Sequence, residues 1–337
     1  MPPSEVLLGG VLVVALVLYF LLGGADFGGG VWDLLATGPR RAAQRAAIEH
    51  ALGPVWEPNH VWLILVIVVL FTAFPRAFAA LATGLYVPLT LFLVGVVLRG
   101  SAFSFRAADH HDDEGQRRWG RIFAIASVIS PFLLGAMVAT IAAGGLAPGT
   151  AGATWISPFS IACGLLSLML AAFLAATYLT VEVTEPELRE DFRRRALGAG
   201  AAAGVIAGAA FFMARSQAPL IYAGLSGSSP GRYAWPLHLV TGAAAAGALA
   251  ALWWRRFQLA RALAALQVTL VICGWAISQY PFLVPPALTL WTDVAPAQTR
   301  TLLLTILAAG LPVLVPSLVV LYRVFKRPPT EPGASGL

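Results

Sequence analysis

The feature that most limits what this chain can fold into is a series of apolar runs, each about 20 residues long. At 1.5 Å per residue, such a run crosses the roughly 30 Å hydrocarbon core of a bilayer as a helix. Nine can be marked, at 5–24, 54–74, 78–98, 122–143, 157–181, 196–214, 237–254, 262–281 and 301–322. The second needs an argument, because Val61 to Phe74 alone is too short to cross. Starting it at Pro54 supplies the length and draws Glu57, Asn59 and His60 into the first two turns. Between the runs little remains from which to build a water-soluble surface. Charged residues are 11% of the chain, hydrophobic residues 58%, and the mean hydropathy is +0.79. A soluble domain is about 25% charged. The balance therefore excludes both a soluble globule and a disordered chain, and predicts an all-α polytopic membrane protein. The first run has no basic segment before it and no small-residue cleavage site after it, so it is expected to remain as a span. Residues 1–327 are expected to form one transmembrane domain, with 328–337 a disordered cytoplasmic tail. Cys163 and Cys273 both lie in apolar runs, so neither a disulfide framework nor a cysteine metal site is indicated.

Charge fixes a direction. The segments on one side of the nine spans carry only Arg76, Arg215, Arg232 and Arg300, while those on the other carry the remaining 18 of the 22 cations. Cytoplasmic loops are enriched in Lys and Arg, so the N-terminus is expected outside and the C-terminus in the cytoplasm. This placement accounts for the net charge of +6 without nucleic acid as a partner. Trp155, Trp235 and Trp291 fall at the outer boundary, and Trp32, Trp56, Trp119, Trp253 and Trp254 near the inner one, where indole rings favour the headgroup layer.

Ionisable side chains in or against a bilayer are costly and are functional candidates by default. Here they gather at one end. Asp26 follows the first run within Gly23-Gly24-Ala25-Asp26-Phe27-Gly28-Gly29-Gly30. Glu57 and His60 lie three apart, on one helical face, in Gly53-Pro54-Val55-Trp56-Glu57-Pro58-Asn59-His60-Val61-Trp62. Two carboxyls and an imidazole near one entrance suit proton uptake. Plainer readings stand beside this one: Glu57 as a charge favoured by a helix N-terminus, Asp26 as a turn residue among glycines, His60 as a satisfied interior histidine. Arg99 closes the third run and is expected to snorkel or to pair with a carboxylate. His110-His111-Asp112-Asp113-Glu114 reads as a solvated loop, and His238 as structural. No phosphate loop, nucleophile elbow or zincin motif is present.

At these segments the sequence resembles subunit II of the cytochrome bd-type oxidases. Gly24-Ala25-Asp26-Phe27-Gly28-Gly29-Gly30 is similar to the family's Gly-x-Asp-x-Gly-x-Gly segment. Gly53 to Leu63 is similar to its Gly-Pro-x-Trp-Asp-Gly-Asn-x-x-Trp-Leu segment. Leu98 to Arg106 is similar to its Arg-x-x-x-Phe-x-x-Arg exit from the third span. Tyr280-Pro281, Leu288 to Trp291 and Thr299 are similar to its last outer loop. The resemblance implies two four-helix bundles plus one additional helix, in a bacterial inner membrane. It implies a larger subunit I of similar fold that holds two b-type haems and one d-type haem, takes electrons from quinol and reduces oxygen to water. This chain would ligate none of these haems. It would support its partner and contribute Asp26, Glu57 and His60 to proton uptake, with Trp56, Asn59, Trp62 and Arg99 as structural or interface residues. The family leaves room for a structural quinone or lipid and for a small single-span accessory subunit.

The departures point to a divergent branch. Glu57 stands where the family has aspartate, Pro58 where it has glycine, His60 where Glu or Gln is frequent, and Ser104 where an acid is common. Two other functions remain open at this level, a proton-coupled secondary transporter and a non-catalytic membrane scaffold. Against the transporter, no inverted repeat and no matched pair of broken spans is visible.

Overall fold

The computed structural model describes residues 3–52, 56–108, 113–146, 155–227 and 234–325. Twelve helices and one small hairpin make up this part. In chain order they are α1 (Ser4–Leu34), α2 (Arg41–Leu52), α3 (Trp56–Ala73), α4 (Pro75–Gly84), α5 (Tyr86–Ala108) and α6 (Asp113–Ala142). Then come α7 (Pro158–Glu182), α8 (Pro186–Gln217), α9 (Pro219–Ser226), α10 (Ala234–Trp253) and α11 (Phe257–Gln279). The strands β1 (Phe282–Val284) and β2 (Leu288–Thr289) pair antiparallel before α12 (Ala297–Phe325). The expected tail and the segment His110 to Asp112 lie outside the described residues.

Eight helices are long and apolar enough to cross a membrane, or nine if α3 and α4 are taken as one bent span. Proline sets several starts. Pro75, Pro158, Pro186 and Pro219 each open a helix, where the missing N–H is no loss. The same chemistry makes the break between the second and third marked runs, and gives it a form that hydropathy does not reveal. Phe74, held out of helical geometry before Pro75, separates α3 from α4, and the two meet at 120°. The third span therefore starts at Tyr86 rather than near residue 78.

Two further differences matter for function. The glycine segment expected to follow the first span is helical, and α1 continues to Leu34. Arg99, expected at a span end, lies well inside α5 and is buried. At the centre, α1 packs against α3, α6 and α7, and α7 in turn against α6 and α8. Glycines set these crossings. A Cβ on Gly28 would stand 2.0 Å from the Ala171 carbonyl oxygen, and one on Gly135 2.3 Å from that of Cys163. Small residues at such points let helix backbones touch, and the packing gained offsets glycine's poor helix propensity.

The two ends of the bundle are tied separately. At one, Arg300 at the start of α12 pairs with Glu5 at the start of α1, and Asp293 accepts from the first backbone N–H groups of α4. At the other, Arg40 grips Asp191 with two hydrogen bonds of 2.8 and 2.7 Å and also reaches Glu187. Gln44 donates to Asp191 and accepts from Arg195, while Arg193 and Arg255 converge on Glu190. Hydrogen bonding to Asp191 holds the Arg40 guanidinium above its already high ordinary range, so this latch stays charged.

Candidate functional site

A buried polar cluster lies where α1, α3, α5 and α6 meet. Asp26 sits in the third quarter of α1 and is almost fully buried. Its carboxylate accepts a hydrogen bond from Asn59 Nδ2 of α3 at 2.5 Å. Asn59 is itself buried, so two of the segments singled out in the sequence meet directly. The turn-residue reading of Asp26 fails, because the residue is in the interior of a long helix and points at a neighbouring one.

Arg99 closes the cluster from α5. Its guanidinium lies over the Phe27 ring at 5.0 Å and the Phe123 ring at 5.2 Å, and it feels the charge of Asp26. It is 3% exposed, so it does not snorkel. A cation so placed is favoured by the ring faces and by the opposite charge nearby. His60 is half-buried on α3, its ring 6.1 Å from that of Tyr19 and tilted by 42°. Trp62 is buried in the same apolar cluster as Tyr19 and Phe27. Trp56 and Glu57 begin α3, but their side chains lie outside the described residues. The structure thus brings together Asp26, Asn59, His60, Trp62 and Arg99.

Sequence reasoning missed three neighbours. Tyr19 is buried one heptad before Asp26, hidden in an apolar run. Asp33 is buried one heptad after it, with Arg45 Nε 3.6 Å from its carboxylate. Ser127 of α6 is fully buried against Gly30. The seven-residue spacing of Tyr19, Asp26 and Asp33 was the available signal, because it repeats a helical face. Among the described residues no group of three or more His, Cys, Asp or Glu side chains is placed to hold a metal ion. The arrangement suits moving protons between buried oxygens.

Comparison with known proteins bears on the family and the fold. The chain is 32% identical over 130 residues to the cytochrome bd ubiquinol oxidase subunit 2 of Bacillus subtilis (strain 168), a match covering 39% of this chain and 38% of that protein. It is 27% identical over 198 residues to the cytochrome bd-I ubiquinol oxidase subunit 2 of Escherichia coli (strain K12), covering 54% and 49%. These two matches thus span half or less of the relatives' length. A putative cytochrome bd menaquinol oxidase subunit II of Bacillus subtilis (strain 168) is 23% identical over 329 residues, with 92% of each chain covered. The fold is similar to a chain in the structure of bd oxidase from Geobacillus thermodenitrificans, with a TM-score of 0.76 at 22% identity, covering 96% of this chain and 98% of that one. The sequence profile described as cytochrome bd terminal oxidase subunit II matches residues 4–325, and the chain belongs to that family.

Proposed function

We propose that this chain is the haem-free subunit of a quinol-oxidising, oxygen-reducing membrane complex and carries protons from the cytoplasm toward its partner. The partner would be a larger subunit I of similar fold, holding two b-type haems and one d-type haem, at which quinol is oxidised and oxygen reduced to water. This chain would follow the family's plan of two four-helix bundles and one further helix, with its N-terminus outside and its C-terminus in the cytoplasm of a bacterial inner membrane.

The observation that carries the proposal is the contact of Asp26 with Asn59, which joins the two acidic segments inside the bundle. An ionised carboxylate is an acceptor-only group that can bind one proton and release it. Glu57 stands two residues before Asn59 on α3 and His60 directly after it. Asn59, Trp62 and Arg99 hold the geometry, and Trp56 is assigned a boundary role. Oxygen reduction consumes protons, and a chain that delivers them needs groups that bind and release a proton without leaving the bundle.

The test uses the complex purified with its haem-bearing partner. Asp26→Asn and Glu57→Gln should each lower quinol-driven oxygen consumption by about a hundredfold, the low end of the range for a lost acid–base group. The haem absorption spectrum should be unchanged. A purified complex with no haem in any chain refutes the oxidase reading. Wild-type turnover in both variants refutes proton delivery through these residues.

A further inference from the structure

Along α1 the residues Tyr19, Gly23, Asp26, Gly30 and Asp33 follow alternating steps of four and three, so they form one continuous stripe. All five are buried. The two glycines are spacers of a particular kind. A Cβ on Gly30 would lie 2.2 Å from Ser127 Oγ, so the missing side chain is what lets that hydroxyl approach α1 between the levels of Asp26 and Asp33. A Cβ on Gly23 would meet the Tyr19 ring at 3.2 Å, so this glycine gives the phenol its room between Asp26 and the next turn.

The hydroxyls on this stripe are incompletely served. Ser127 Oγ, 0% exposed, and Tyr19 OH, 1% exposed, have no hydrogen-bond partner among the described residues. The same holds for two donors beside the stripe, Trp62 Nε1 and Arg99 Nε. Buried polar atoms are nearly always satisfied, by protein or by ordered water. Four orphaned groups in one neighbourhood, interleaved with two carboxylates, supply the two to four polar partners a buried water requires. Adjacent heptad positions on α1 are about 10.5 Å apart along the axis. Side chains alone do not bridge that distance, but a hydroxyl and one or two waters do.

We propose that the α1 stripe binds a file of water running from Asp33 past Ser127 and Asp26 to Tyr19, and that Asp33 and Tyr19 are proton-carrying groups at its two ends. The inference rests on the proton-delivery reading above and deepens it by adding an entrance and an exit. Asp33 lies at the arginine-rich end of the bundle, where the partly exposed Arg45 stands 3.6 Å from its carboxylate and donates to its backbone carbonyl. Each transfer is neutral overall. A hydroxyl accepts a proton on its oxygen from one water as it gives its own to the next, and a carboxylate binds one proton and releases it unchanged. No electrons move in this chain.

The test uses the assembled complex with its haem-bearing partner. Tyr19→Phe keeps the ring and deletes the hydroxyl, and Asp33→Asn keeps the shape and deletes the acid. Each should lower oxygen consumption by about tenfold, with the haem spectrum intact and a larger slowing in deuterated water than the wild type shows. Tyr178→Phe, on α7 away from the stripe, should leave turnover unchanged. Hydroxyl-radical footprinting read by mass spectrometry supplies a second readout independent of activity. Tyr19 and Trp62 should be modified despite their burial, because bound water is the source of the radical. Wild-type turnover in both Tyr19→Phe and Asp33→Asn overturns the route, as does absence of modification at both aromatic residues. If Asp26→Asn still impairs the enzyme, the broader reading survives that failure. A complex without haem defeats the broader reading, and this one with it.

Discussion

A methyl group at Gly28 is the smallest change that tests the central packing. Its Cβ would lie 2.0 Å from the carbonyl oxygen of Ala171, 2.5 Å from the carbonyl carbon and 2.7 Å from the Ala175 methyl. Backbone cannot step aside as a flexible side chain can, so α1 and α7 must separate. Overpacking of this kind costs about 1–3 kcal/mol. Gly28→Ala should therefore lower the melting temperature of the detergent-solubilised complex by several degrees. Gly10→Ala and Gly198→Ala, where nothing lies within 4 Å of the added carbon, should be neutral or slightly stabilising through helix propensity. A thermal-shift series that ranks all three alike would show that the α1–α7 contact is not as close as described. Arg99 shows the opposite economy. It is a charge kept in the interior beside two aromatic faces and in the field of Asp26. The sequence offered snorkelling or pairing with a carboxylate as alternatives, and burial excludes the first. The choice could not be read earlier, because it depends on α5 extending to Ala108 and placing residue 99 inside the bundle.

At the scale of the element, the break between α3 and α4 is held from far along the chain. Pro75 frees the backbone before it, and the N-terminus of α4 then presents N–H groups with no partner in its own helix. Asp293, in the segment before α12, accepts from Arg76 N at 3.2 Å and from Ala77 N, and Ala295 N donates to Ala73 O at 2.9 Å. This carboxylate is a capping residue supplied by another part of the chain. Caps of this sort are worth about 0.5–2 kcal/mol. Asp293→Ala should lower thermal stability by a few degrees, Asp293→Asn by less, since an amide oxygen still accepts one bond. Equal melting curves for wild type and Asp293→Ala would mean that the bend stands without the cap. The starts of most spans were legible because Pro and the loss of apolar residues coincide there. The end of one span at residue 74 was legible too, but the 120° bend and the separate short helix α4 were not, because the apolar residues of α4 read as the start of the next span. The extension of α1 was hidden for another reason. Glycines from 23 to 30 suggest a turn by local propensity, whereas here they let α1 make its close crossings with α6 and α7. Asp33 went unnoticed as a consequence, having been assigned to a loop.

For the whole molecule, the charge partition remains the strongest inference drawn from sequence, and the folded chain gives it a geometric form. Residues from segments expected on the arginine-rich side meet one another in space: Arg40 with Asp191 and Glu187, Arg255 with Glu190, Arg261 with Glu182. Residues from the arginine-poor side meet at the other end: Glu5 with Arg300, and Asp293 with the backbone of Arg76. An error in the parity of the spans would have mixed these two sets. Burial grades across the bundle in the same frame, from 72% of the apolar window of α7 to 6% of that of α12, so α7 is central and α12 stands at the periphery. By the positive-inside rule the arginine-rich end is expected to face the cytoplasm. The orientation can be measured without reference to activity. With Cys163 and Cys273 replaced by Ala, a single cysteine at the exposed Thr292 should react with a membrane-impermeant maleimide in cells whose outer membrane has been opened. A cysteine at the exposed Arg194, at the opposite end, should react only after the inner membrane is breached. A fluorescent protein fused after Phe325 should fold and fluoresce, since α12 starts beside Glu5 at the arginine-poor end and runs toward the other. The reverse labelling pattern would place Asp33 outside and turn the proposed proton entrance away from the cytoplasm, so this experiment bears on the mechanism as directly as on topology.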